Sequence, residues 1–67
     1  MKTLADALPE AQERARKILA RYKLLGPCGM FGAMMIERDL RYADEAVMSG
    51  DVVAMLKALE TLQNIKD

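Results

Sequence analysis

A glycine followed by a proline, Gly26-Pro27, cuts the chain at a point that no helix can cross. Glycine readily takes the left-handed conformation that closes a helix's last turn, and proline lacks the N–H needed to continue one. Three of the four glycines, the only cysteine and the only phenylalanine lie within the ten residues Gly26-Pro27-Cys28-Gly29-Met30-Phe31-Gly32-Ala33-Met34-Met35. The residues on either side carry a helical period, so the break separates two helices.

Before the break, apolar residues recur at Leu8, Ala11, Ala15, Ile18, Tyr22 and Leu25, alternating steps of three and four. That is one face of a helix. Asp6 is a suitable N-cap, and a start at 7 places Pro9 in the first turn, where its missing N–H costs nothing. Glu10 with Arg14, and Glu13 with Lys17, stand at i,i+4 with the acid first, the better order.

After the break, a seam runs Ala33, Ile36, Leu40, Ala43, Val47, flanked by Phe31, Met35, Tyr42 and Ala46. Up to Glu37 this helix is apolar on nearly every side, which predicts burial on every side. Gly32 inside it costs about 1 kcal/mol relative to alanine, so another backbone is expected close by. Ser49-Gly50-Asp51 reads as a second junction, with Gly50 ending one helix and Asp51 capping the next. The third helix sets Val52, Met55, Leu56, Leu59 and Leu62 on one face, with Ile65 beside it. Nothing alternates with a strand period. The expected fold is all-α: a single domain of three helices at 7–25, 30–48 and 51–65, a helical hairpin plus a third helix.

Sixty-seven residues bury a limited core. A chain of this size hides only about 60% of its unfolded surface and has on the order of 3–10 kcal/mol of stability. Small folds usually add disulfides, a metal or a second subunit. Cys28 is the only cysteine and there is no histidine, so no intrachain disulfide forms and zinc lacks its usual ligands. Self-association is the remaining route, and homodimerisation is expected.

Ten basic and ten acidic residues give no net charge, yet their distribution is uneven. In helix one, Arg14, Arg16, Lys17, Arg21 and Lys23 oppose Glu10 and Glu13, five against two, a net +3. This stripe is either complementary to the rest of the chain or a face for an acidic partner or nucleic acid. The spacing Gly26-Pro27-Cys28-Gly29 matches the loop by which KH modules clamp a nucleic-acid backbone, but those modules need a sheet. It also approaches a helix-hairpin-helix loop, whose glycines are normally spaced more closely.

Enzymatic chemistry is poorly provided for. Cys28 precedes a helix N-terminus, where thiols can be reactive, but without histidine the usual general base is missing. Ser49 reads as a turn residue. Glu37, Asp39, Asp44 and Glu45 read as a solvated, ion-paired face. No phosphate-binding fingerprint is present. No catalytic residue, metal ligand or cofactor is assigned. No export signal follows Lys2 and no apolar run approaches the ~20 residues of a membrane span, so a cytoplasmic location is expected.

The runs Leu25-Gly26-Pro27-Cys28-Gly29-Met30-Phe31-Gly32-Ala33-Met34-Met35-Ile36-Glu37 and Ser49-Gly50-Asp51-Val52-Val53-Ala54-Met55-Leu56 resemble small uncharacterised proteins of Mu-like transposable phages and related prophages, over residues 22–59. Cys28 departs from the small residue expected there, against an essential thiol. The resemblance implies an accessory protein of the bacterial host cytoplasm that modulates or inhibits a host or defence protein by binding. The combined reading is a non-enzymatic, homodimeric interaction module whose interface includes Met30, Phe31, Gly32, Met34 and Met35. The alternative is a small nucleic-acid binder using the 26–29 loop and the basic stripe of helix one.

Overall fold

The structure is a computed structural model that describes residues 2–66. Gly26 takes the left-handed conformation (φ 67°), and helix α1 (Leu4–Leu24) ends just before it. Gly26–Gly29 then form one short 3-10 turn before α2 (Met30–Ser49). Gly50, also left-handed (φ 73°), closes α2. The Asp51 carboxylate accepts from the N–H groups of Val53 (3.0 Å) and Ala54 (3.2 Å) to cap α3 (Val52–Gln63). Both junctions agree with the sequence, and the fold is an all-α three-helix domain.

Helix α1 starts one turn earlier than expected. Asp6 does not cap it. The Thr3 carbonyl accepts from Asp6 and Ala7 N–H, and the Thr3 hydroxyl donates to the Asp6 carboxylate at 3.1 Å. Pro9 therefore lies inside the helix. Its missing N–H deprives the Ala5 carbonyl, which sits on an exposed residue where water can substitute. The extra turn brings Leu4 onto the core and Lys2 to within 2.7 Å of Glu10. Glu10 thus pairs with Lys2 rather than Arg14, whereas the Glu13–Lys17 pair forms as expected at 3.6 Å. The Glu10 charge and hydrogen bond hold the Lys2 ammonium above the usual lysine pKa. Any contribution of this pair to stability is complete below the free lysine value and fades only as alkali removes the proton.

Contacts fix the arrangement. Lys23 meets Glu37 and Arg16 meets Asp44, so α1 and α2 run antiparallel. Arg14 reaches Leu62 and Ile65, and Tyr22 reaches Lys66, so α3 and its tail run alongside α1 in the same direction. All three helices touch one another.

The core is built largely from small residues. Ala11, Ala15, Ala33, Ala43, Ala46 and Ala58 are buried, against only five large apolar side chains: Leu8, Ile18, Ile36, Leu40 and Leu62. The expected seams of α1 and α2 hold except at their C-terminal ends, and that of α3 fails in its first turns. Leu25, Val47, Val52 and Leu56 are exposed, while Ala58, outside the predicted face of α3, is fully buried. Alanine at the contact lets helix axes approach closely, and larger neighbours are turned outward.

Helix length explains the rest. At 1.5 Å per residue, α1 and α2 are each about 30 Å long and α3 about 18 Å. Helix α3 packs beside the first half of α1 and the second half of α2. The hairpin tip, formed by the end of α1 and the start of α2, projects beyond it, and only the tail to Lys66 follows.

At that tip Tyr22 makes the closing contacts. Its carbonyl accepts from Leu25 N–H (3.1 Å), and a Cβ on Gly29 would stand 2.1 Å from the same oxygen. Its ring lies over Gly32, 3.5 Å from where a Cβ would be, and its hydroxyl donates to the Lys66 carbonyl at 3.1 Å. The two glycines therefore have opposite roles. Gly29→Ala forces backbone apart and is expected to destabilise by about 2 kcal/mol or more. Gly32→Ala meets ordinary van der Waals space in a helix interior and is expected to stabilise by about 0.5–1 kcal/mol. Thermal unfolding followed by circular dichroism checks both, with the melting temperature moving down for the first and up for the second.

Candidate interaction surface

The residues expected to form an interface separate into two kinds. Gly32 is covered within the chain by the Tyr22 ring, so the close neighbour it implied is a side chain of the same molecule. Met30, Phe31, Met34 and Met35 are all exposed, Phe31 at 76% and Met34 at 64%. Burial on every side, expected for this half-helix, is not achieved within one chain, because Ala33 and Ile36 face the core and Met30, Phe31 and Met34 are turned away from it. Phe31, Met34 and Met35 line a cavity of about 410 Å³ together with Glu37, Arg38 and Arg41. Leu24 and Leu25, at the end of α1, add to the exposed apolar tip.

A second apolar group stands at the other end of the bundle, where sequence reasoning placed core. Val47, Met48, Val52, Val53 and Leu56 are exposed around the α2–α3 junction, Met48 at 87%. The signal that could have located it was the run of apolar residues on both sides of Ser49-Gly50-Asp51, too many for one face.

The basic residues of α1 do not form a single stripe. Arg14 lies on the side facing α3, where it donates to the carbonyls of Leu62 (3.4 Å) and Ile65 (2.8 Å) at the C-terminal end of that helix. A cation there also opposes the helix dipole favourably. Arg16 and Lys23 lie on the side facing α2, paired with Asp44 (3.7 Å) and Glu37 (3.4 Å). Lys17 pairs with Glu13, and Arg21 is engaged as well. Each of these cations has a partner within the chain, and Arg14, Lys17 and Arg21 together line a groove of about 350 Å³ with Glu10 and Glu13.

The acidic residues of α2 are likewise occupied in part. Asp44 accepts from the buried Gln12 side chain at 2.9 Å and pairs with Arg16, and Asp39 pairs with Arg38 at 3.5 Å. Cys28 is an exposed free thiol on the 3-10 turn, and the Ser49 hydroxyl donates to the Ala46 carbonyl at 2.9 Å in the turn role expected of it. Among the described residues no group of three or more acidic, cysteine or histidine side chains is placed to hold a metal, and no helix is long and apolar enough to cross a membrane.

Comparison with known proteins gives no match to a family model, a curated protein or a solved structure. The resemblance to phage accessory proteins therefore stands on the quoted runs alone.

Asp44 joins two helices through two partners, one of them buried. Asp44→Ala is expected to destabilise by about 1–2 kcal/mol, since the buried Gln12 then loses the carboxylate it donates to and Arg16 loses its ion pair. Urea unfolding of the variant measures this, and Gln12→Leu in the same background should recover most of the loss.

Proposed function

We propose that the protein is a non-enzymatic helical interaction module that assembles with itself through the start of α2. In that form it acts by covering a surface on another protein. The observation that carries this reading is the exposure of Phe31, with Met30 and Met34 beside it, on a hairpin tip that the third helix does not reach. Large aromatic and methionine side chains are favoured in protein contacts because they bring much area and adapt to its shape. The phage resemblance, on this reading, puts the target among host or defence proteins.

Sedimentation over a range of concentrations tests the self-association. The wild-type chain is expected to be larger than a monomer. Phe31→Ser and Met34→Glu are expected to lower its mass towards the monomer while leaving the helical signal intact, since neither side chain belongs to the core. A wild-type monomer at every concentration, with both variants folded and equally soluble, removes the reading.

A further inference from the structure

The outer line of α2 is Met30, Met34, Arg38, Arg41, Glu45 and Met48, at steps of four, four, three, four and three, with every member exposed. It is apolar at both ends and charged in the middle. Arg41 and Glu45 stand one turn apart, and neither makes an ion pair among the described residues, although four residues is the favoured separation for one. Arg38 is paired only with its own neighbour, Asp39. Nothing among the described residues covers this line.

The charge of the molecule is polarised in the same direction. Residues 17–41, the hairpin tip together with the middle of α2, hold five bases (Lys17, Arg21, Lys23, Arg38, Arg41) and two acids (Glu37, Asp39), a net +3. Residues 44–60, around the other end, hold one base (Lys57) and four acids (Asp44, Glu45, Asp51, Glu60), a net −3. Each end also carries one of the two exposed apolar groups.

We infer that a second copy of the chain lies antiparallel on this face, α2 against α2, about a two-fold axis between Arg41 and Glu45. The inference rests on the self-association proposed above and specifies its geometry. Arg41 of each copy then faces Glu45 of the partner subunit, and the pair forms twice. Arg38 comes to the partner's Met48, and Met34 reaches the apolar group around the partner's α2–α3 junction. Both apolar ends are covered in one closed contact, and the basic tip of each copy lies on the acidic end of the other. A parallel pairing sets Arg41 against Arg41 and Glu45 against Glu45, a like-charge juxtaposition that interfaces avoid. A head-to-tail contact satisfies one end only and continues as an open chain.

Charge reversal separates these arrangements. Arg41→Glu leaves two acids facing two acids across the axis, and Glu45→Arg leaves two bases facing two bases. Each variant alone is expected to self-associate at least tenfold more weakly than wild type in sedimentation equilibrium. Mixed one to one, they are expected to form a heterodimer near wild-type affinity, resolved by mass in native mass spectrometry. Circular dichroism of each variant confirms that it is folded before its mass is interpreted. A wild-type dimer indifferent to both reversals, or a mixture that does not associate, overturns the antiparallel contact and leaves self-association standing. An open ladder of masses overturns the two-fold axis, and a concentration-independent wild-type monomer overturns both readings.

Discussion

Tyr22 holds the hairpin tip together, and the placement of α2 depends on it. Its carbonyl closes α1 by accepting from Leu25, and the connection passes so near that oxygen that only glycine fits at position 29. Its ring fills the space above Gly32, and its hydroxyl holds the chain after α3 at Lys66. Four parts of the molecule thus converge on one residue. The two glycines on either side of Met30 and Phe31 let the hairpin fold tightly against the ring. The large residues between and beyond them consequently face away from it.

The second constraint is arithmetical. Two helices of about 30 Å cannot be covered along their whole length by a third of about 18 Å. Helix α3 is placed by Ala58 and Leu62, both fully buried, and by Arg14, which donates to the carbonyls at its C-terminal end. That fixes α3 beside the first half of α1. In the first turns of α2, Ala33 and Ile36 reach the core, while Met30, Phe31 and Met34 face away from it and stay exposed.

The junctions were legible in the sequence because each rests on local backbone chemistry. Gly26-Pro27 and Gly50-Asp51 mean the same thing in any context. Most of the seams of α1 and α2 were legible for a similar reason, since Leu8, Ala15, Ile18, Ile36 and Leu40 lie where three-four spacing puts them. The start of α1, the C-terminal ends of both seams and the face of α3 were not. Pro9 suggested a later start, but Leu4 gains a place on the core and Ala5 is exposed, so the helix tolerates the proline. Ala58 was passed over because a periodic reading favours large side chains, and close helix approach favours small ones. The candidate surface was half legible: Met30, Phe31, Met34 and Met35 are exposed as an interface requires, but Gly32 is used internally. The basic residues of α1 divide between two faces: Arg14, Lys17 and Arg21, at steps of three and four, line one groove, while two-residue separations turn Arg16 and Lys23 toward α2.

Stability and association are linked in a chain built this way. Among the described residues, five large apolar side chains are buried, six more pack partly against them and twelve are substantially exposed, so about half of them stand outside the monomer's core. Apolar surface left in water contributes nothing to folding, while the same surface covered by a partner contributes roughly 25 cal/mol per Å² before the entropic cost of association. A contact that binds only the folded form stabilises it by mass action. An alanine-rich core sets the helices close together, but it gives little hydrophobic stabilisation per residue. The methionine and phenylalanine excluded from that core are the residues best suited to provide the remainder between molecules. On this argument, the tight packing at Tyr22 and the apolar tip beyond it have the same cause: small residues bring the helices together, and the large ones are left to face a neighbour.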